Sequence, residues 1–336
     1  MSDGHTSITV PIKDVINRRF SVAPMMDWTD RYCRYFHRLL SKKTLLYTEM
    51  VTTGALIHGD RHRHLHHHKT EHPIALQLGG SDPQALAKSV RFANEYDYDE
   101  INLNCGCPSD RVQSGKFGAI LMKDAPLVAD CFQAMQDSTE TPITIKHRIG
   151  LDDEESYQFL CDFVGTVSAA GCKTFIVHAR KAWLSGLSPK QNREIPPLDY
   201  ERVYQLKQDF PHLEIIINGG IKTLEETEEQ LQHVDGVMMG REAYHNPYLL
   251  AEVDRKIYHS KQSAPSRTQV LEQFSDALAS ELAKGVKLSH ITRHILGLYQ
   301  GVPGARKFRR HISENAHRPN AGTEVLYQAL SYMSAQ

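Results

Sequence analysis

The clearest indication of the fold is residues 214–241, which have the sequence EIIINGGIKTLEETEEQLQHVDGVMMGR. A short apolar run, Glu214–Asn218, is followed by two glycines, a glutamate-rich segment and a second apolar run, Gly236–Met239, which ends at another glycine. This order predicts two parallel strands joined by a helix. No Gly-x-Gly-x-x-Gly motif follows either strand, so the dinucleotide-binding form of an open sheet lacks its characteristic sequence.

The same alternation of apolar runs and helical segments continues back to the N-terminus. Six further strands are predicted, over residues 20–23, 45–47, 74–78, 100–103, 143–147 and 174–178. One helix is expected to begin at Ser81-Asp82-Pro83, where a cap residue precedes a proline, and another to end at Gly171. Eight strands with intervening helices predict an α/β fold of the (β/α)8 type, the TIM barrel, with a doubly wound open sheet as the alternative.

After Pro247 no further strand is predicted, and the sequence has helical patterning. Helices are expected over residues 268–283, 290–299 and 323–333, and the polar stretch 260–266 is the predicted linker. We therefore expect a catalytic barrel over residues 1–259 and an all-helical domain over residues 267–336.

Composition indicates an ordinary globular protein. Of the 336 residues, 40% are hydrophobic and 24% charged, and no apolar run approaches the roughly 18 residues that a membrane helix needs. The N-terminal sequence lacks the pattern of a signal peptide. Six cysteines without a Cys-x-x-Cys pair suggest free thiols. A cytoplasmic protein without a membrane partner is therefore expected.

No metal ion is expected either. The histidine-rich segment 58–72 lacks ligands at a defined helical or turn spacing, and it is predicted to be a solvated loop at the rim of the site.

The net charge of −1 argues, taken alone, against a nucleic-acid partner. Charge is distributed unevenly, however: from Lys284 to Arg318 there are eight lysines and arginines and one acidic residue, Glu314. Within this segment, residues 304–311 surround Phe308 with basic side chains, a pattern that suits binding to a phosphate backbone. The alternative is a solvated helix face.

Glycines follow the last two predicted strands, at the end of a barrel where active sites lie. Gly219, Gly220 and Gly240 would present backbone N–H groups to an anion, with Arg241 beside them. A phosphorylated ligand is the functional interpretation, and tight turns alone are the structural one.

Other polar residues occur at the ends of the middle strands. Lys146 and Arg148 are two apart on a strand and should point into the barrel mouth, either paired with an acid such as Glu49 or in contact with an anionic cofactor. His147, between them, should point outward. Gln77 and His178 are as consistent with core hydrogen bonding as with ligand contact, and Asn218 precedes the glycines at the end of the seventh strand.

Cys107 lies on the loop after the fourth predicted strand. A neutral thiol has a pKa of about 8.5 and can donate a proton at pH 7, so the residue could be a general acid. A nucleophile and an inert thiol are equally consistent with the sequence.

Several longer motifs resemble the flavin-dependent tRNA-dihydrouridine synthases. They are SVAPMMDWTD at residues 21–30, LYTEM at 46–50, INLN at 101–104 continuing through Cys107-Pro108-Ser109, NGGI at 218–221, and Gly240-Arg241. Residues 179–190 and 192–200 resemble the bacterial A-type branch, which acts on D-loop uridines 20 and 20a. One departure is Cys105, where this branch more usually has another residue, so a second thiol is expected near the flavin.

The resemblance implies a barrel that binds FMN, a helical domain that helps to bind tRNA at the D loop and elbow, and NADPH as a transient reductant. It assigns FMN contact to Pro24, Met25, Met26, Gln77, Lys146, His178, Asn218, Gly219, Gly220, Gly240 and Arg241. It assigns tRNA contact to Asn104, Lys190, Arg193, Arg306 and Arg309. Catalysis falls to Cys107, which would protonate C5 of uracil after hydride transfer from flavin N5 to C6.

Two other functions are open at this stage. An FMN-dependent reductase of free pyrimidines would not need the helical domain or the basic segment, and a non-catalytic RNA-binding barrel would hold no flavin. A Schiff-base aldolase using Lys146 is a more remote alternative.

Overall fold

Eight parallel strands form a closed barrel in the structure, a computed structural model that describes residues 16–109, 112 and 115–333. The strands are β1 (Phe20–Val22), β2 (Leu45–Thr52), β3 (Ile74–Gly79), β4 (Glu100–Cys105), β5 (Ile143–Arg148), β6 (Thr174–His178), β7 (Glu214–Asn218) and β8 (Gly236–Met239). Each strand pairs with the next in sequence, and β8 closes the barrel by pairing with β1. The predicted (β/α)8 fold is confirmed.

Helices connect successive strands and cover the outside of the barrel. Those within the barrel region are α1 (Arg31–Leu40), α2 (Thr53–His58), α3 (Arg61–Leu65), α4 (Pro83–Ala93), α5 (Ala125–Gln136), α6 (Tyr157–Ala169), α7 (Tyr200–Asp209), α8 (Leu224–Gln230), α9 (Arg241–His245) and α10 (Val253–Lys256). They are followed by α11 (Arg267–Ala283), α12 (Leu288–Thr292), α13 (Ala305–Asn315) and α14 (Glu324–Ser331). Within the described residues, none of these helices combines the length and apolarity that crossing a bilayer requires.

The predicted helix ends are confirmed where a local signal marks them. Asp82 caps α4 by accepting from the Ala85 N–H, and Pro83 occupies the first turn, where no N–H is needed. After α6, Gly171 has φ +109, a conformation that favours glycine and turns the chain toward β6.

β2 is longer than predicted. The sequence suggested an end at Tyr47, yet pairing with β3 continues to Thr52, across a register irregularity between Tyr47 and Met50. Glu49 and Met50 therefore lie within the strand and not after it. Hydrogen bonding to a neighbouring strand overrides the polar residues that suggested an end.

The helices after the barrel pack against α1. Phe274 of α11 contacts Phe36 with ring centroids 5.5 Å apart, and Glu281 Oε2 lies 2.7 Å from Arg31 Nη2. The expected helices over residues 268–283 and 323–333 are confirmed within one or two residues at each end, and Ser266, in the predicted linker, caps α11.

The expected helix over residues 290–299 is wrong. Only Leu288–Thr292 is helical, and successive turns follow it. There the backbone of Gly297 approaches the barrel so closely that a Cβ would lie 2.3 Å from the carbonyl oxygen of His245. Residues 1–15 and 334–336 of the two expected domains lie outside the described residues.

Candidate active site

Strand register brings most of the expected site residues to one end of the barrel. Asn104 pairs with Lys146 across β4 and β5, and Arg148 pairs with His178 across β5 and β6. His178 pairs in turn with Asn218 on β7. These side chains come from the carboxyl ends of neighbouring strands, where barrel enzymes hold their reacting groups.

Lys146 lies at this mouth, and no acidic side chain among the described residues pairs with it. Its Nζ donates to Asn218 Oδ1 at 3.1 Å, whereas Glu49 Oε1 accepts from the backbone N–H of Asp27 at 2.6 Å. The alternative ion pair between Lys146 and Glu49 is therefore wrong. Burial, reinforced by the nearby Arg148 guanidinium, lowers the pKa of Lys146 to about 7. A buried lysine that lacks a negatively charged partner favours binding of an anionic ligand, which would supply the missing charge.

Arg148 has a different role from the one suggested by its spacing to Lys146. It is 3% exposed and donates to the carbonyl oxygens of Gly106, Lys181 and Asn192 at 3.0–3.1 Å. These bonds join the loop after β4 to the loop after β6. Arg148 is thus a structural cation that holds the two loops together.

Cys107 lies on the loop that Arg148 fixes. Asn104 Oδ1 accepts from the backbone N–H groups of Gly106 and Cys107 at 3.1 and 3.0 Å, and Cys107 Sγ lies 3.5 Å from Ser109 Oγ. The thiol is half-buried, and it interacts electrostatically with Lys146 and Arg148. It can therefore reach a substrate at the mouth.

Cys105 does not share this site, contrary to expectation. Side chains alternate along β4, so Asn104 faces the barrel interior while Cys105 faces the helices and is completely buried. Burial raises the pKa of its thiol well above the usual range. His147 likewise points outward, as predicted, with its ring 5.0 Å from that of Phe163.

The turn after β7 has the geometry expected of a close approach. Gly219 and Gly220 have φ of +120 and +76, and a Cβ on Gly219 would lie 2.7 Å from His178 Cδ2. Burial, followed by the field of neighbouring cations, lowers the pKa of His178 well below its usual value, so the ring is neutral. Next to this turn, α9 begins directly after Gly240, and Arg241 Nη1 lies 2.5 Å from Glu194 Oε1.

Arg180 is a residue of this region that the sequence did not single out. One of its Nη atoms donates to the carbonyl oxygen of Pro196, but its Nε is buried and has no partner among the described residues. The sequence signal that could have identified Arg180 as a site residue is its position two residues after His178, at the end of a strand. An unpartnered guanidinium N–H beside Arg241 adds to the excess of positive charge.

The loop after β1 places Pro24, Met25 and Met26 at the mouth, with Met26 55% exposed. The loop folds back on itself, because the Met25 N–H donates to Thr29 Oγ1 and the Thr29 N–H donates to the Met25 carbonyl oxygen. Trp28, in the same loop, stacks on Tyr244 at 4.5 Å.

This loop ends at Asp30, which contacts the C-terminal helices. Asp30 Oδ2 lies 2.7 Å from Arg293 Nη2 and 3.0 Å from the buried His294 Nε2, and Tyr244 OH lies 3.1 Å from His294 Nδ1. This junction was not predicted from the sequence, because its residues are 263 and 264 positions apart.

The four basic residues assigned to tRNA lie on two separate elements. Lys190 and Arg193 are exposed on the loop between β6 and α7, next to the Arg241–Glu194 pair. Arg306 is exposed on α13, and Arg309 is half-buried with its guanidinium 3.2 Å from Gln300 Oε1. Phe308 is completely buried against Tyr299, so contact with a phosphate backbone from this segment would come from its basic side chains.

No group of three or more potential metal ligands occurs among the residues that the structure describes. In the histidine-rich segment, α3 carries His62, whose ring centroid lies 4.7 Å from that of His66 in a tilted arrangement, and His72 Nδ1 lies 2.7 Å from Asp99 Oδ2.

Comparison with known protein families covers the site residues described above. The family model for dihydrouridine synthase (Dus) matches residues 21–333. The chain belongs to the dihydrouridine synthase family. The predicted resemblance is confirmed, and with it the predicted class, an oxidoreductase that forms dihydrouridine.

Relatives within the family are similar over nearly the whole chain. A tRNA-dihydrouridine(20/20a) synthase from Vibrio parahaemolyticus is 62% identical over 314 residues, which cover 93% of this chain and 96% of the relative. One from Escherichia coli K12 is 62% identical over 317 residues, covering 94% and 92%.

Solved structures of other enzymes share the fold. An old yellow enzyme homologue from Zymomonas mobilis superposes with a TM-score of 0.52 at 12% identity, covering 74% of this chain and 90% of that one. A 2-naphthoyl-CoA reductase superposes with a TM-score of 0.54 at 10% identity, covering 70% and 49%. At this identity the likeness shows the fold alone.

Proposed function

We propose that this dihydrouridine synthase reduces the C5=C6 bond of uridines 20 and 20a in the tRNA D loop, with FMN as cofactor and NADPH as the reductant that visits briefly. The observation that carries the proposal is that Lys146 and Arg148, whose charges both act on Cys107, form no ion pair with an acidic side chain of the described residues. The names of the relatives, which specify positions 20 and 20a, support the choice of substrate.

The residues at the mouth fit FMN. Gly219, Gly220 and Gly240, with Arg241, would hold the phosphate through backbone N–H groups, and the unpartnered Nε of Arg180 fits the same anion. Other contacts would come from Pro24, Met25, Met26, Gln77, Lys146, His178 and Asn218. When bound, FMN supplies a hydride to C6 of uracil. Lys146 would offset negative charge beside it.

Cys107 would complete the reaction as a general acid. Adding hydride at C6 leaves an enolate across C5, C4 and O4, and the thiol proton passes to C5. Asn104 and Arg148 hold the Cys107 loop in place through its backbone. The half-buried thiol lies where a base that has left the stack could reach it.

Basic surface outside the mouth would hold the tRNA. We propose that residues 267–336 form a helical domain that contributes Arg306 and Arg309, while Lys190 and Arg193 contribute from the barrel. RNA is held largely by its shape and phosphates, so such contacts need no base readout. The D loop and elbow of tRNA, in the cytoplasm, are the expected partner.

Nucleoside mass spectrometry of tRNA from a deletion strain tests the proposal. Dihydrouridine at positions 20 and 20a should disappear on deletion, return with the wild-type gene and fail to return with Cys107→Ala. A matched Cys105→Ala variant should restore the modification. Unchanged dihydrouridine after deletion would show that the substrate is wrong, and full restoration by Cys107→Ala would show that Cys107 is not the essential acid.

Free pyrimidines are the substrate in the competing proposal. The purified enzyme would then oxidise NADPH with free uracil as fast as with tRNA, and neutralising Arg306 or Arg193 would leave the rate unchanged.

A further inference from the structure

A short apolar segment borders the barrel mouth on the loop between β6 and α7. Ile195 and Leu198 are 58% and 36% exposed, and Pro197 between them is exposed as well, while Pro196 is buried. We call residues 195–198 the apolar ridge. Ile195 is more exposed than any other large apolar side chain among the described residues. It buries little apolar surface and therefore contributes little to the stability of the fold.

The backbone of the apolar ridge is fixed on both sides of Ile195. The Ile195 N–H donates to the carbonyl oxygen of Gln191 at 2.8 Å, and the Pro196 carbonyl oxygen accepts from Arg180. The preceding residue, Glu194, belongs to the ion pair with α9 described above. Two prolines follow and restrict the chain further. The isoleucine side chain is therefore presented to solvent by an ordered backbone, so contact with a ligand costs little loop ordering.

The apolar ridge lies beside the loop of the proposed general acid. Arg148 joins the two loops, since its guanidinium donates to the carbonyl oxygens of Gly106 and Asn192 at 3.1 and 3.0 Å. Asn192 lies three residues before the ridge, and Arg193 interacts electrostatically with Cys107. The ridge thus borders the space that a base has to enter to reach the thiol.

Positive charge on the same loop indicates the chemistry of the partner. Lys190 and Arg193 are both exposed, and the neighbouring acid, Glu194, is paired with Arg241. An apolar protein surface that covered the ridge would also desolvate these cations without pairing them. RNA supplies phosphates for the cations and flat apolar base faces for the ridge. A base step of an RNA chain is therefore the occupant that fits.

We propose that Ile195 enters the D loop as a wedge and takes the place of the target uracil when that base leaves its stack. A nucleotide next to an extruded base loses a stacking partner, and an aliphatic side chain inserted there covers the exposed base face. The proposal rests on the proposed function. Ile195 acts on the conformation of the RNA and not on the reacting atoms, so it is a positioning residue.

Transcripts with 2-aminopurine in place of the base next to the target uridine test the wedge with the FMN-loaded enzyme. Stacking on another base quenches the fluorescence of 2-aminopurine, whereas an aliphatic neighbour does not. Binding to the wild type should therefore raise the fluorescence. With Ile195→Ala the flanking bases can close the gap, and the rise should be about 2-fold smaller. Ile195→Leu keeps the volume of the side chain, is the matched control and should behave like the wild type.

Single-turnover rates separate the wedge from a purely structural role. We expect Ile195→Ala to lower the rate of uridine reduction in tRNA by about 10-fold, because the extruded base is less populated. The dissociation constant for tRNA should stay within about 2-fold, since the phosphate contacts remain. In a transcript with abasic sites on both sides of the target, the uridine has no stack to leave. Wild type and Ile195→Ala should therefore reduce this transcript at the same rate.

An equal loss of rate for Ile195→Ala on tRNA and on the abasic transcript would overturn the wedge, and so would a variant that reduces tRNA at the wild-type rate. If Ile195→Ala purifies with less flavin, the side chain covers the cofactor instead. If the wild type sediments as a dimer and Ile195→Ala as a monomer, the apolar ridge is an interface between copies; either result also overturns the proposal. A wild-type enzyme that fails to reduce the uridine in tRNA would count against the proposed function, so the two failures are distinguishable.

Discussion

The two ends of the barrel interior differ in how their buried cations are partnered. At the lower end, Arg18 Nε lies 2.6 Å from Glu100 Oε2 and its Nη1 lies 3.0 Å from Glu214 Oε2, while Tyr47 also donates to Glu100. At the mouth, the partner of Lys146 within the described part of the chain is an amide oxygen, Asn218 Oδ1. Burial acts on both cations, but the carboxylates raise the pKa of Arg18 whereas the pKa of Lys146 falls to about 7.

This difference separates a structural charge from a functional one. A buried charge with full partners belongs to the fold, because removing one partner leaves the others without compensation. A buried cation without an anion costs folding free energy and is retained where a ligand supplies the missing charge. The predictions below test this distinction, from the largest expected effect to the smallest.

Glu100→Ala should give the largest loss of stability. The change leaves the Tyr47 and Thr144 hydroxyls without their acceptor and Arg18 with a single, partly exposed partner. We expect the free energy of unfolding to fall by about 3–5 kcal/mol, measured by denaturant titration.

Glu214→Ala is the matched control at the same end, because Glu214 is 31% exposed and its loss should cost less than that of Glu100. A loss below about 1 kcal/mol for Glu100→Ala would show that the lower end is not the compensated network that we describe.

Lys146→Met should have the opposite effect at the mouth. The variant should lose FMN and activity, yet its flavin-free form should be at least as stable as the flavin-free wild type. The folded pKa of about 7 lies below the ordinary 10.5, so the unfolded chain binds more protons between these values. Wild-type stability should therefore rise with pH across this window, and the advantage of the variant should shrink.

Thermal melting of flavin-free wild type and Lys146→Met from pH 6 to pH 10 measures the difference in melting temperature between the two proteins, which we call the gap. Lys190→Met, which changes an exposed lysine, should show no pH-dependent gap. An equal gap at all pH values for Lys146→Met would contradict the assignment of an uncompensated cation.

The sequence predicted those parts of the molecule that have a local cause. Seven strands were located within one or two residues, and Asp82, Pro83 and Gly171 mark helix ends as expected. The glycine turn after β7 was also predicted, since positive φ follows from residue type.

Features that depend on distant partners were missed. β2 continues because β3 pairs with it, and residues 293–301 turn away from a helix because the barrel lies against Gly297. The unpartnered Arg180 and the orientation of Asn104 follow from residues far apart in sequence. The position of Cys105 could have been predicted, because strand alternation was already available for His147.

Thiol reactivity should distinguish the mouth from the core along a single strand and its loop. Native enzyme treated with iodoacetamide should be alkylated at Cys107, while Cys105, completely buried, should react on the order of 100-fold more slowly. Peptide mass spectrometry after a time course measures both rates, and Cys107→Ala should leave the Cys105 rate unchanged. Comparable rates would show that Cys105 is accessible from the mouth.

Asp30 is an intermediate case, a compensated charge close to the mouth. Burial raises its pKa, but hydrogen bonds from His294, from the Cys33 N–H and from Arg293 lower it to about 2. Because the folded pKa is lower than the ordinary 3.8, this stabilisation is present above about pH 4 and is lost as the pH falls toward 2. Asp30→Asn should cost about 1–3 kcal/mol at pH 7 and progressively less in acid, measured by denaturant titration at each pH.

The smallest effect should come from an exposed pair on α13. Arg310 Nε lies 2.7 Å from Glu314 Oε1, whereas Arg306 on the same helix has no ion pair among the described residues. Glu314→Ala should not change the melting temperature, but it frees one positive charge and should tighten tRNA binding by about 2-fold. Arg306→Ala should weaken binding and reduce the salt dependence of the dissociation constant by about one ion. If both variants bind tRNA like the wild type at all salt concentrations, α13 is a solvated helix face, and the distinction between compensated and uncompensated cations does not extend beyond the barrel.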